Sequence, residues 1–132
     1  MKLNERSINN LKGIHPALIN VANKAAEMME ELPNYSFVIT QGLRTLEEQK
    51  RLLAENKSKT LKSKHLTGHA FDIAVFIDGK LTWEYKHYKK VADVILEAAE
   101  ELNVEMEWGG NWKSFVDAPH FQLDPAKYPW KV

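Results

Sequence analysis

The chain has 132 residues, 44% of them hydrophobic, with 18 basic and 18 acidic side chains and no cysteine. This length and composition suit one globular domain with a buried core and exclude a disordered chain. The balanced charge gives no argument for nucleic-acid or membrane binding, and the absence of cysteine leaves imidazole and carboxylate as the strong zinc ligands.

The hydropathy pattern shows neither a membrane-spanning segment nor the apolar core of a signal peptide. No run approaches the roughly 18 apolar residues of a membrane-spanning helix. The polar start after Met1 also lacks the apolar core of a signal peptide. We therefore expect a protein that is cytoplasmic on synthesis and has no stable membrane association.

The first half of the chain predicts two helices and a strand. Apolar residues at helical spacing predict a helix over residues 16–32, with Pro16 at its first position. Alternation and β-forming residues predict a strand over residues 35–40. The segment that begins at Thr45 has the sequence of a capping box, which predicts a helix to about Ala54.

The second half predicts a sheet with one long helix. Residues 55–64 form a polar loop, and residues 71–77 and 80–83 form a hairpin through an Asp-Gly turn. A long amphipathic helix follows over residues 85–102. Two further strands, over residues 104–108 and 120–123, complete the prediction of an α+β domain with a small antiparallel sheet and packed helices.

Two segments combine histidine with aspartate. His65 precedes Asp72 by seven residues, and Asp117 precedes His120 by three. A strand pair that brings His65, Asp72 and His120 together would provide three protein ligands for a catalytic zinc and leave its fourth position to water. Asp117 would then be the general base that activates this water. We expect His69 to lie beside the site or in solvent, and His15 and His87 to be surface or capping residues.

The motif Ser63-x-His65-x-x-Gly-x-Ala-x-Asp72, followed by Asp-x-x-His, resembles that of D-alanyl-D-alanine carboxypeptidase-like zinc peptidases. Within that family the chain is most similar to the small L-alanyl-D-glutamate endopeptidases of phages and prophages. The resemblance extends from the Gln-Gly-Leu-Arg segment that ends at Arg44 to His120 and includes a Glu-Trp-Gly-Gly segment. One departure is Asn111, where the family leads us to expect aspartate.

The resemblance implies a Hedgehog/DD-peptidase-like fold over residues 1–132 as a single zinc peptidase domain. It also implies that Arg44 polarises or positions the scissile carbonyl, with a surface salt bridge as the alternative. Ser63 would orient a metal ligand or simply cap a loop. Trp108 would form a groove floor with the two glycines that follow it, among them Gly110, or belong to the core and a turn.

The substrate follows from the resemblance alone. It implies cleavage of the peptidoglycan stem peptide, between L-alanine and D-glutamate, by a monomeric Zn²⁺ enzyme of the endolysin type that reaches the wall after the membrane is opened. Three alternatives are a D-alanyl-D-alanine carboxypeptidase, a non-catalytic peptidoglycan-binding module, and an unrelated domain with a structural zinc. The last favours four closed ligands, often thiolates, which this chain lacks.

Overall fold

The computed structural model describes residues 1–58 and 63–129. It contains four α-helices within these residues: α1 (Glu5–Asn10), α2 (Pro16–Met28), α3 (Leu46–Ala54) and α4 (Tyr85–Glu101). Its five strands are β1 (Tyr35–Gln41), β2 (Ala70–Ile77), β3 (Lys80–Thr82), β4 (Met106–Trp108) and β5 (His120–Leu123). The predicted α+β class is confirmed.

All strand pairs are antiparallel, in the order β1-β2-β5-β4, and β3 pairs with the distal half of β2. Helices α2 and α4 pack against each other and contribute most of the helical residues of the core. Alternate residues of β1 and β2, such as Phe37, Ile39, Ile73 and Val75, are buried beneath them. Burial of this apolar face is the main stabilising contribution.

Two local sequence signals form as predicted. The side chain of Thr45 accepts a hydrogen bond from the backbone N–H of Glu48, and the Glu48 side chain accepts one from the Thr45 backbone, which completes the capping box of α3. The Asp78–Gly79 turn has positive φ at both residues, as a type I′ hairpin requires.

Several boundaries differ from the predictions. The first long helix ends at Met28 and continues as a 3₁₀ turn, Met29–Glu31, while β3 ends at Thr82 and β4 begins only at Met106. The predicted loop over residues 55–64 lies partly outside the described residues. Lys64, predicted as its last residue, instead begins a 3₁₀ helix, Lys64–Thr67.

Helix α1 was not predicted, since six residues give too little periodicity to detect. Asn4 caps it by accepting from the N–H of Ser7. The Ser7 hydroxyl accepts from the Ile39 N–H, and the Asn10 amide donates to the Ile39 carbonyl. Helix α1 therefore covers the outer edge of β1, whose backbone groups would otherwise be open to pairing with another chain. No helix among the described residues is long and apolar enough to cross a membrane.

Candidate metal centre and active-site cleft

His65, Asp72 and His120 come together at one end of the sheet. His65 lies on the 3₁₀ helix that precedes β2, while Asp72 and His120 are paired residues of β2 and β5. One ligand atom from each lies within 4.8 Å of the other two. The strand pair thus assembles the three residues as the sequence led us to expect.

The orientation of His65 is fixed by the segment after β1. Its Nδ1 lies 2.8 Å from the carbonyl oxygen of Gly42, which can only accept, so Nδ1 carries the proton. A Cβ at Gly42 would stand 2.0 Å from the Asn10 carbonyl oxygen, so only glycine allows this close approach. The Nε2 of His65 consequently presents its lone pair, 3.2 Å from Oδ1 of Asp72.

The orientation of His120 is fixed by a partly buried relay of side chains. The Gln122 amide donates through Nε2 to Oε2 of Glu107 at 2.9 Å, and the other end of that amide, Oε1, lies 2.8 Å from Nε2 of His120. A carboxylate accepts only, so this assignment makes His120 Nε2 the donor. The Nδ1 of His120 is left with a lone pair, 3.0 Å from Oδ1 of Asp72.

One nitrogen of each imidazole therefore converges on the same carboxylate oxygen: when the rings are neutral, Nε2 of His65 and Nδ1 of His120 both turn a lone pair toward Oδ1 of Asp72. The hydrogen bonds on the far side of each ring are of the kind that orient metal-binding histidines, so these three atoms could hold a metal ion. Burial opposes ionisation of Asp72, but the charge of His65 and hydrogen bonds from both histidines hold its pKa well below the usual range. Burial likewise lowers the pKa of His120, yet Asp72 reverses this and raises it.

Asp117 lies on the turn that leads into β5. Its carbonyl accepts from the N–H of His120, and its own N–H donates to the carbonyl of Gly109 at 3.0 Å. A Cβ at Gly109 would approach the Asp117 carbonyl oxygen to 2.3 Å, so the glycine permits this contact. Although Asp117 remains exposed overall, partial desolvation of its carboxyl and the charge of Asp72 raise its pKa. A carboxyl of this kind suits proton transfer.

Arg44 is held inside the site. Its guanidinium donates to Gln49 and Gln41 at 2.7 Å each, approaches the Ser63 hydroxyl at 3.5 Å, and lies 3.9 Å from Oδ2 of Asp72. Burial lowers its pKa, and Asp72 partly offsets this. Its side chain is only 10% exposed, so the alternative of a surface salt bridge does not describe it. Gln41 and Gln49 were not singled out in the sequence.

These residues line a cleft of about 1080 Å³. Arg44, Ser63, Asp117 and the three candidate ligands all contribute to its walls. Further lining residues that were not predicted as site residues are Leu52, Glu107, Trp112, Phe115, Val116 and Gln122. Glu107 belongs to the Glu-Trp-Gly-Gly segment of the family resemblance, whereas the signal for Trp112, Phe115 and Val116 was only a group of apolar residues just before Asp117. The ring of Trp112 lies 5.4 Å from that of His120.

The family model of phage L-alanyl-D-glutamate peptidases matches residues 1–123. The chain belongs to this family. It is 32% identical to the L-alanyl-D-glutamate peptidase of Escherichia phage T5 over 120 residues, 88% of this chain and 85% of that protein. It is 34% identical over 101 residues to the peptidoglycan L-alanyl-D-glutamate endopeptidase CwlK of Bacillus subtilis, which covers 67% of this chain and 60% of CwlK.

Among solved structures, the Serratia marcescens L-Ala D-Glu endopeptidase ChiX matches with a TM-score of 0.89 and 37% identity. The match covers 98% of this chain and 95% of ChiX. The fold predicted from the resemblance to zinc peptidases is therefore confirmed.

Trp108 and Gly110, for which the sequence left a groove floor and a core-and-turn position open, are both buried. Trp108 is 1% exposed and donates through its indole N–H to the Ala118 carbonyl, with its ring stacked on Phe121. A Cβ at Gly110 would stand 2.1 Å from the Trp108 ring. Both are buried and neither lines the cleft described above, so the arrangement is that of the core-and-turn alternative. Asn111 is exposed in the turn that follows.

The remaining residues have local partners. The Ser63 hydroxyl accepts from the His65 N–H and caps the 3₁₀ helix. His15 caps α2 by accepting from the Ala17 N–H, as expected of a capping residue. His69 bonds to the Thr67 side chain, and its ring lies 5.5 Å from that of His15. His87 is half-buried, and its Nδ1 lies 2.6 Å from the Tyr35 hydroxyl, which links α4 to β1.

Proposed function

We propose that this chain is a zinc-dependent L-alanyl-D-glutamate endopeptidase that cleaves the stem peptide of peptidoglycan, with His65, Asp72 and His120 as metal ligands. The observation that carries the proposal is the convergence of His65 Nε2 and His120 Nδ1 on Asp72 Oδ1, with the opposite nitrogen of each ring hydrogen-bonded elsewhere. Histidine and carboxylate donors with an open fourth position suit catalytic zinc. Homologues that share most of this chain are peptidases of that bond.

Bound zinc would lower the pKa of a water ligand from about 15.7 toward 7 and polarise the scissile carbonyl. The Asp117 carboxylate accepts the proton of the attacking water and returns it to the leaving amine of D-glutamate. Its raised pKa favours the second step because the carboxyl then holds the proton more readily before passing it on. The contact between Asp117 and Gly109 holds this carboxylate at the cleft.

Arg44 stabilises the oxyanion of the scissile carbonyl and positions Asp72. Hydrogen bonds to Gln41 and Gln49 hold its guanidinium group in place, so little reorganisation is needed when the oxyanion forms. Ser63 acts by capping the helix that carries His65, and Trp108 with Gly110 supports the turn before Asp117 without touching substrate. We assign the whole chain to one catalytic domain, acting as a monomer and without a nucleic-acid partner.

The setting that fits this activity is the cell wall. We propose synthesis in the cytoplasm, of the host where a phage encodes the protein, and action on peptidoglycan after the membrane has been opened. An amide hydrolase of stem peptides needs no stable membrane association for this role.

The experiment is digestion of purified peptidoglycan, with the new termini identified by mass spectrometry. We expect new N-terminal D-glutamate, lost on chelation and restored by zinc. Free D-alanine instead would identify a carboxypeptidase. Binding without cleavage by the zinc-loaded protein would identify a binding module; either result contradicts the proposal.

A further inference from the structure

The tip of the loop between β4 and β5 carries exposed apolar residues in an unfavourable backbone conformation. Phe115 has φ of +51°, a left-handed value that costs a bulky residue on the order of 1 kcal/mol. Its side chain is 73% exposed and that of Val116 is 56% exposed. Neither core burial nor backbone preference accounts for an aromatic residue here, which makes a binding role the better explanation.

This loop is anchored at its base, so the exposure of its tip is not that of a frayed segment. The Gly109 carbonyl accepts from the N–H groups of Trp112 and Asp117, at 3.3 and 3.0 Å. Trp112 packs beside His120, and Phe115 and Val116 line the same cleft, with Lys113 and Ser114 between them in the loop. The three apolar side chains form an apolar wall that reaches the candidate metal centre at Trp112.

The cleft is larger than the scissile dipeptide needs. Its volume of about 1080 Å³ lies just above the range of roughly 300–1,000 Å³ found for ligand pockets. In peptidoglycan the alanyl side of the scissile bond carries the uncharged lactyl and sugar groups of muramic acid, whereas the glutamyl side carries carboxylates. Aromatic faces offer apolar contact area to the C–H face of a sugar ring, so the apolar wall matches the alanyl side.

We infer that Phe115, with Trp112 and Val116, forms a subsite for the muramoyl group that carries the L-alanine of the stem peptide. This inference rests on the proposed function and adds a glycan requirement to it. The enzyme prefers stem peptides still attached to the sugar over free peptides. Phe115 contributes to this preference through binding and takes no part in the chemical step.

The test compares a disaccharide-tetrapeptide with the same tetrapeptide lacking the sugars. For Phe115→Asn we expect KM for the sugar-bearing substrate to rise about tenfold with kcat unchanged, and both constants for the free peptide to stay at parental values. Asparagine tolerates the left-handed conformation, so the melting temperature should not fall. Phe115→Tyr, which keeps the ring, should retain the parental preference.

Trp83→Asn is the matched control, because Trp83 is 71% exposed and does not contribute to the cleft. It should leave both substrates unaffected. Calorimetric binding of N-acetylmuramoyl-L-alanine gives a second readout that needs no cleavage, and Phe115→Asn should weaken it about tenfold. Equal effects of Phe115→Asn on both substrates, or none on either, would overturn the subsite. A zinc-loaded parent that cleaves neither substrate would overturn the proposed function instead, whatever the binding result.

Discussion

The relay from Glu107 through Gln122 to His120 determines which nitrogen of His120 faces Asp72 in the candidate metal centre. Glu107 is half-buried, lines the cleft and is not a candidate ligand, so it can be changed without emptying the core. In Glu107→Leu the Gln122 Nε2 loses its acceptor at 2.9 Å. The amide can then turn its N–H₂ toward His120, which favours the tautomer whose Nδ1 is protonated and cannot bind metal.

Two estimates of the magnitude agree. A buried donor left without a partner costs about 1–3 kcal/mol. Loss of an outer partner of a metal-binding histidine weakens metal affinity about 10- to 100-fold, or about 1.4–2.8 kcal/mol. We therefore expect Glu107→Leu to raise the zinc dissociation constant about 10- to 100-fold.

Glu107→Gln separates the hydrogen bond from the charge. Its side-chain oxygen can still accept from Gln122, while the negative charge is lost. Competition titration with a chromogenic chelator should give a dissociation constant within about threefold of the parent for this variant. If Glu107→Leu binds zinc as tightly as the parent, or if both variants weaken binding equally, the tautomer argument is wrong.

The other predictions concern the proposed ligands and base. Asp117→Ala should keep zinc and fold but lose about 10²–10⁴-fold in kcat; parental turnover would remove Asp117 from the mechanism. His65→Ala should lose both metal and activity. A normal zinc content measured by atomic emission would contradict the assignment of His65 as a metal ligand. Because Asp72 raises the pKa of His120 above its usual 6.5 in the metal-free protein, this group stabilises the fold fully below that value and loses its contribution as the pH rises through the raised pKa. Zinc binding would displace the proton from His120, so the rise in melting temperature on adding zinc should grow from pH 6 to pH 8. A rise that is independent of pH would contradict this coupling between zinc binding and deprotonation.

Features that depend on neighbours in sequence could be predicted. The capping box at Thr45 and the Asp78–Gly79 turn each need only four residues to specify them, and both form. The fold class also followed, since period-2 and period-3.6 patterns alternate along the chain. Helix α1 was missed because it is too short to show a helical period, and the hydrogen bonds that hold it to Ile39 join residues about 30 positions apart.

Features that depend on strand register could not be predicted from the sequence. Glu107 and Gln122 are cross-strand partners of β4 and β5, and only that pairing shows that Gln122 links Glu107 to His120. Trp108 was given two interpretations because a tryptophan before two glycines fits either a groove or a core. Its side-chain direction is decided by the tertiary contact with Phe121. The left-handed conformation of Phe115 likewise has no marker in the sequence.

The most direct test of the account is a titration of metal-free protein with zinc, followed by cleavage of a defined disaccharide-tetrapeptide. We predict that the initial rate rises linearly and saturates at one zinc per chain, with N-terminal D-glutamate as the new end. Cleavage at the full rate before zinc is added, or a saturated protein that leaves the L-alanyl-D-glutamate bond intact, would contradict it.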